Sequence, residues 1–289
     1  MNDRNPPVKI AELNIYPMKS ARGIPLDAAL CRATGLEGDR IAVLTEPDGR
    51  FITQRDLPAL ARVTARPGPD GLMLSMDGKD AIETGPSSEQ RIDVTVWKDT
   101  VNAAASTGAA DDMLSDWFDR PVRLAFFDSA AERIASRDWV SDETPVSFAD
   151  GFQVLVTTTG SLAALNADLK AHGATEVGME RFRPNIVVDC DEAWAEDGWA
   201  AIEIGGIAFD FVKPCTRCIM TTQDQTTGSR EGANPLPALG RLRMSADRRV
   251  PGPLFGWNAV PRGEGMLRVG DPVTVTKSTA ERWPVKKRA

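Results

Sequence analysis

Histidine and cysteine are scarce in this chain: His172 stands alone, and four cysteines are spread unevenly through 289 residues. That scarcity argues against a disulfide framework and against the four-ligand sites that hold structural zinc. Long apolar runs are missing too. No stretch approaches the ~20 residues needed to cross a bilayer, and the opening MNDRNPPVKIAELNIYP lacks the apolar centre of a signal peptide. The expectation is a cytoplasmic protein with reduced thiols and no membrane span. Positive charge is also short, with 34 Lys and Arg against 41 Asp and Glu, a net charge of -7. A surface of that balance has no general basic face for tracking phosphates, so nucleic acid is not an expected partner. Any anionic ligand must be met by a local cluster of cations. No GxGxxG follows an apolar strand, which argues against nicotinamide or flavin binding by this chain. Pyridoxal phosphate is not expected either.

What the chain does contain is a series of short apolar runs between turn signals: KIAELNIYP, RIAVLTEPDGRFIT, GLMLSMDGK, RIDVTVW, GFQVLVTT, PNIVVDC, AIEIGGIAFDFV and PVTVTK. Several alternate with period two, and PDGR and MDGK have the glycine that a tight hairpin turn requires. Helical spacing is confined to AADDMLSDWFD and SLAALNADLKAHG. In the second, Leu162, Leu165 and Leu169 share a face and Ser161 is placed to cap it. The pattern predicts an α+β, mostly β fold of the barrel type, because strands and helices do not alternate regularly. Residues 126–150 are polar and poorly periodic, as a crossover between two domains would be. The closing ERWPVKKRA is expected to be a frayed, solvated tail.

One short motif concentrates chemistry. Cys215-Thr-Arg-Cys218 follows the strand-like IAFDFV rather than opening a helix, which disfavours a thioredoxin-type dithiol. As a zinc clip it has no second pair. Two readings stay open at this level: a thiolate that meets a metal or electrophile, and a pair of small buried cysteines. Lys213 and Arg217 flank the thiols and favour the first. Cations recur beside small polar residues elsewhere, at Lys19, Ser20 and Arg22, at Arg40, at Arg55, and at Arg181, Arg183 and Asn185. Such groups suit a phosphate-bearing ligand if folding brings them together.

The stretches LNIYPMKS, GLEGDRIAVL, GRFITQRDLPALA, TTTGSLAALNADL, ERFRPNIVVD, AEDGWAAIEIG, PCTRCIMTTQDQTTG, PLFGWN and LRVGDPVTV run in order from about residue 10 to residue 276. In them the chain resembles the MOSC family, the molybdenum cofactor sulfurase C-terminal domain proteins with an N-terminal β-barrel domain, and among them the amidoxime-reducing components. The resemblance implies a MOSC N-terminal barrel-like domain over 8–126, whose first strand is free to pair with the second domain, a MOSC β-barrel domain over 127–277, and a tail over 278–289. It implies Mo-molybdopterin as cofactor, with Cys218 as metal ligand and catalytic residue. Cofactor contacts carry over onto Lys19, Ser20, Arg40, Thr158, Thr159, Gly160, Ser161, Arg183, Asn185, Thr216, Arg217 and Asn258. Cys215 has no carried-over role and is expected to be a small buried residue at a strand end. The implied reaction is reduction of small N-hydroxylated substrates, with electrons from a haem or iron-sulfur protein served by a flavin reductase. A different class, a cofactor or sulfur carrier using Cys218 without turnover, is the alternative. The chain departs from the family where TTQDQ replaces TTVDP, leaving Asp224 without a role. With no cysteine beyond Cys218, an internal iron-sulfur cluster is not expected.

Overall fold

The computed structural model describes residues 8–286. Strands make up 39% of it against 16% helix, so the fold is mostly β as the spacing predicts. Eight strands form one curled sheet in the order Val273–Ser278, Trp199–Ile204, Ile207–Thr216, Leu254–Pro261, Val154–Thr158, Ile186–Asp189, Lys9–Ile15 and Ile24–Leu26. Only the pair Val154–Thr158 and Ile186–Asp189 is parallel. A parallel pair needs a crossover, and the helix Thr159–Ala171 supplies it with Leu165 and Leu169 buried. Its cap is Thr158, not Ser161. The strand runs straight into the helix, so the first free N–H is that of Ser161 and the Thr158 hydroxyl receives it at 3.2 Å.

A four-stranded sheet of Ala42–Thr45, Arg123–Phe126, Asp99–Ser106 and Pro86–Val96 stands beside a three-stranded one of Thr64–Gly68, Gly71–Ser75 and Ile82–Thr84. Leu44, Ile52, Leu60, Leu74, Leu114 and Leu124 are buried together between them. In the PDGR turn Gly49 takes φ +87 and donates its N–H to Glu46 O at 2.9 Å. A side chain there would strike the Asp93 carbonyl.

The two groups of sheets are interlaced rather than strung end to end. The first two strands belong to the eight-stranded sheet, and Ala28–Arg32 pairs with Gly265–Arg268. The chain then leaves for the second group and returns through residues 127–150, which carry no strand beyond the bridge Ile134–Pro145. That return is an ordered arc. Arg133 is buried beneath it, donating to Ser147 O at 2.9 Å and Ala149 O at 2.5 Å while pairing with Asp99. A seam results, and the loops that cross it face one another.

The expected frayed tail is corrected for the residues described. Trp283 lies against the rings of Trp139 and Trp257, with centres 6.0 and 6.1 Å apart, and donates to Ser245 Oγ at 3.1 Å. Lys286 N–H bonds Met244 O at 2.7 Å. Apolar contact with partners far back in the sequence outweighs the ordering entropy of a short terminal run. Residues 287–289 of the basic run lie outside the described residues. No described helix is long and apolar enough to cross a membrane.

Gly256 sits at φ +75 in the strand Leu254–Pro261, where an added Cβ would lie 2.7 Å from Thr157 Cγ2 and 2.8 Å from Val156 O. Gly256→Ala therefore combines a left-handed backbone with a clash against a neighbouring strand. We expect a loss of about 2–3 kcal/mol, read as a fall in Tm of roughly 5–10 °C. An unchanged Tm would contradict the close strand approach.

Candidate functional site

The strand Ile207–Thr216 ends at the seam, and Cys218 caps the short turn Ile219–Thr222 that follows. Its half-buried sulfur faces a cavity of about 380 Å³. Arg55, from the opposite side of the seam, donates Nη2–H to Cys218 Sγ at 3.2 Å. Burial weakens Arg55's hold on its proton, but the bond to the sulfur and its negative charge outweigh that and raise its pKa. Cys215 faces the same cavity half-exposed, not buried as expected, because the strand is still extended there and turns its side chain to the cavity rather than the core. It accepts from Arg217 Nη1 at 2.9 Å, while Arg217 Nη2 is tied to Phe182 O at 2.8 Å. Each sulfur thus has its own guanidinium.

Around the sulfurs the cavity wall is strongly cationic. Lys19, Arg40, Arg55, Arg181, Arg183, Lys213 and Arg217 line it against one carboxylate, Asp150. Lys19 Nζ is buried, donating to Phe148 O at 2.8 Å and Asp150 Oδ1 at 2.6 Å. Burial pulls the lysine below its ordinary range. Desolvation at the crowded wall alone would raise Asp150, whose side chain is still largely exposed, but Lys19 beside it, with Arg40 and Arg55 further off, holds it below the usual carboxylate range. Arg40 pairs with Asp39 at 2.6 Å and reaches Asn185 Oδ1 at 3.1 Å. Arg183 donates to Ala21 O at 2.7 Å and Gln225 Oε1 at 3.1 Å, and burial presses it down to about 10. The Arg40 and Arg183 guanidinium groups lie 4.3 and 4.2 Å from the ring centre of Tyr16. Asn258 lines the cavity with its amide on Lys213 O at 3.0 Å.

Backbone strain converges on the same place. Of the six non-glycine residues with positive φ among those described, Ser20, Arg40, Trp97 and Arg183 line the cavity, at φ 68, 49, 57 and 55. Each costs about 1–2 kcal/mol and persists only where surrounding bonds over-determine it. Ser20, for instance, is pinned by Gln54 Nε2 on its carbonyl at 2.8 Å.

Lys19, Ser20, Arg40, Arg183, Asn185, Thr216, Arg217, Cys218 and Asn258 all line this cavity. Thr158, Thr159, Gly160 and Ser161 do not, and their expected place in the site is corrected. Their helix end is occupied by the protein's own carboxylate: Glu196 accepts from Thr158 Oγ1 at 2.9 Å and from Ser161 Oγ at 2.8 Å. Gly160 lies so close to Cys190 O and Asp191 O that even a Cβ would clash. Thr159 Oγ1 takes the Cys190 N–H at 3.1 Å. The Thr158 and Ser161 hydroxyls and the Gly160 and Ser161 N–H groups are thus already engaged within the protein. Sequence reasoning missed Asp150, Trp97, Thr53 and the contact of Arg55 with sulfur. Arg55 was visible as a cation after a turn, but its partner is 163 positions away.

A mostly β protein whose two sheet groups clasp a cationic cavity lined by two cysteine sulfurs is suited to an anionic ligand held beside a thiol. Residues 143–274 match the family model described as the MOSC domain, and residues 8–121 match the MOSC N-terminal beta barrel domain. The chain belongs to the MOSC family. It is 31% identical over 283 residues to mitochondrial amidoxime reducing component 2 of Bos taurus, spanning 91% of this chain and 82% of that one. It is 31% identical over 287 residues to mitochondrial amidoxime-reducing component 1 of Homo sapiens, with the same coverage.

Tyr16 is the chain's only tyrosine, so its titration is readable alone. Burial raises it from 10.0 to about 12, with Arg183 and Arg40 opposing. A raised folded pKa means that this stability is fully present below pH 10 and lost as pH rises through about 12. Tyrosinate absorbance of the native protein should rise about two pH units later than in denaturant. The loss of stability across that window should be about 2–3 kcal/mol, and Tyr16→Phe should remove the slope. Coincident native and denatured titrations would refute the burial.

Proposed function

We propose that this chain binds the molybdenum cofactor, Mo-molybdopterin, through Cys218 and reduces N-hydroxylated compounds such as amidoximes and hydroxylamines. The observation that carries this reading is the half-buried Cys218 sulfur, held by Arg55 and facing, with Cys215 beside it, a wall of seven cations with one carboxylate. The donor set fits such a group. Cys218 offers a soft sulfur ligand, suited to a metal that brings its other ligands with it, while Cys215 is taken up by Arg217, and the cationic surround suits a phosphate. Arg217 Nε is buried with no partner among the described residues, a donor held in reserve beside the sulfurs. The names of the relatives support the substrate class.

In this reading Lys19, Ser20, Arg40 and Arg183 hold the anionic end of the cofactor, and Asn185, Thr216, Arg217 and Asn258 orient its polar edge. When bound, the cofactor supplies a metal that accepts oxygen in a two-electron exchange. The overall change is N–OH plus two electrons and two protons giving N–H and water. The chain's own part is to hold reactants in register, to keep a guanidinium N–H on the Cys218 sulfur, and to limit water in the cavity. Electrons come from an external haem or iron-sulfur protein served by a flavin reductase. The reading divides the chain into domains over 8–126 and 127–277, with the first strand of the former paired in the sheet of the latter, and a tail over 278–289.

Protein made in a cofactor-competent host should carry molybdenum by elemental analysis and reduce benzamidoxime with an artificial electron donor. Cys218→Ser should lose activity by at least about a hundredfold, with the metal lost as well. A molybdenum-loaded protein with no reductase activity would sink the proposal. Should Cys218 instead carry a single sulfur adduct with no metal, the carrier reading takes its place.

A further inference from the structure

Trp97 lines the cavity but has no part in the proposed reaction. Trp97 occupies the two-residue turn between the strands Pro86–Val96 and Asp99–Ser106, where Val96 pairs with Asp99. Its φ is +57. Two-residue hairpin turns take glycine, asparagine or aspartate at such a position, because a Cβ is disfavoured there. A large aromatic residue at a strained turn tip needs an explanation from its surroundings.

Those surroundings are specific. The ring meets Phe51 edge-on, with centres 5.0 Å apart at 68°. The Arg55 guanidinium carbon lies 5.2 Å from the ring centre, and the same guanidinium donates to Cys218 Sγ at 3.2 Å. Trp97 is therefore one side chain removed from the sulfur. Its rotamer is fixed from two sides, yet the residue remains 47% exposed at the cavity. Phe51 and Arg55 alone do not demand an indole here, since a cation–π contact of this kind stabilises only modestly at an exposed site. A rigid, partly exposed aromatic surface at the cavity, one side chain removed from the sulfur, has the form of a stacking platform.

We propose that Trp97 is a specificity-determining residue, the platform on which the planar aromatic part of an N-hydroxylated substrate stacks while its N–OH group lies toward Cys218. This rests on the reductase reading of the same cavity. It makes the protein selective for aryl over alkyl amidoximes. The selection acts on binding, because the ring is remote from the atoms that react.

The test compares benzamidoxime with acetamidoxime in cofactor-loaded wild type, Trp97→Gly and Trp97→Phe. The turn geometry suits glycine, so Trp97→Gly should fold with an unchanged or higher Tm. Its KM for benzamidoxime should rise about tenfold with little change in kcat, while acetamidoxime kinetics move less than about twofold. Trp97→Phe should recover most of the preference. A titration of benzamidoxime into oxidised, loaded protein without reductant should show the same weakening by calorimetry. Equal losses for both substrates would mean that Trp97 only seats Arg55, and unchanged kinetics would mean that it does neither; each outcome overturns the proposal. A wild type that reduces neither compound refutes the reductase reading instead, and the titration still decides the platform, since equal binding to wild type and Trp97→Gly rejects it.

Discussion

The structure depends on one electrostatic constraint: several cations must stand close together at the edge of the core of an acidic protein. Like charges in a partly buried place repel strongly and lose hydration. The fold answers by giving the inward-facing cations fixed oxygens. Lys19 holds Phe148 O and Asp150, Arg40 holds Asp39, and Arg183 holds Ala21 O. Phe148 O, Asp39 and Ala21 O lie outside the cavity lining, whereas Asp150 faces the cavity together with the cations. The aromatic ring of Tyr16, with its hydroxyl on Pro184 O at 3.1 Å, separates two guanidinium groups from the rest of the core.

The interlaced topology makes that arrangement possible. Because the first strands of the chain belong to the sheet completed by its last, the residues between them are forced across the seam. Ser20, Gln54, Gln225 and Arg183 form a buried hydrogen-bonded chain across it, with the two glutamines joined at 3.1 Å. Leaving any one of those polar groups unpaired would be costly, so the network locks the halves in register. That rigidity is what sustains positive φ at Ser20, Arg40 and Arg183. It also explains why the arc ending at Asp150 is ordered: Arg133 spends its guanidinium on the arc's own carbonyls.

The strands were legible because alternation with period two and glycine turns are local properties; KIAELNIYP, AIEIGGIAFDFV and PVTVTK all fold as read. So was the nature of the site. The CTRC motif and its cations declare a thiol in positive surroundings, and eight of the neighbours that the resemblance implied line the cavity with it. The helix start at Thr158–Ser161 misled, because a helix N-terminus offers donors in general, and only the fold shows that Glu196 already takes them.

By itself, then, the sequence determined the mostly β class, the thiol and the types of side chain around it, since these follow from composition, spacing and short-range chemistry. Only the tertiary structure decided which cations face the sulfur, that Arg55 rather than a neighbour in sequence touches it, that Asp150 answers Lys19, and that Trp97 stands open beside them. The physical reason is that these contacts join loops more than a hundred residues apart in the chain or sit at turns whose strain has no local signature. They exist only after the two groups of sheets have closed on their seam.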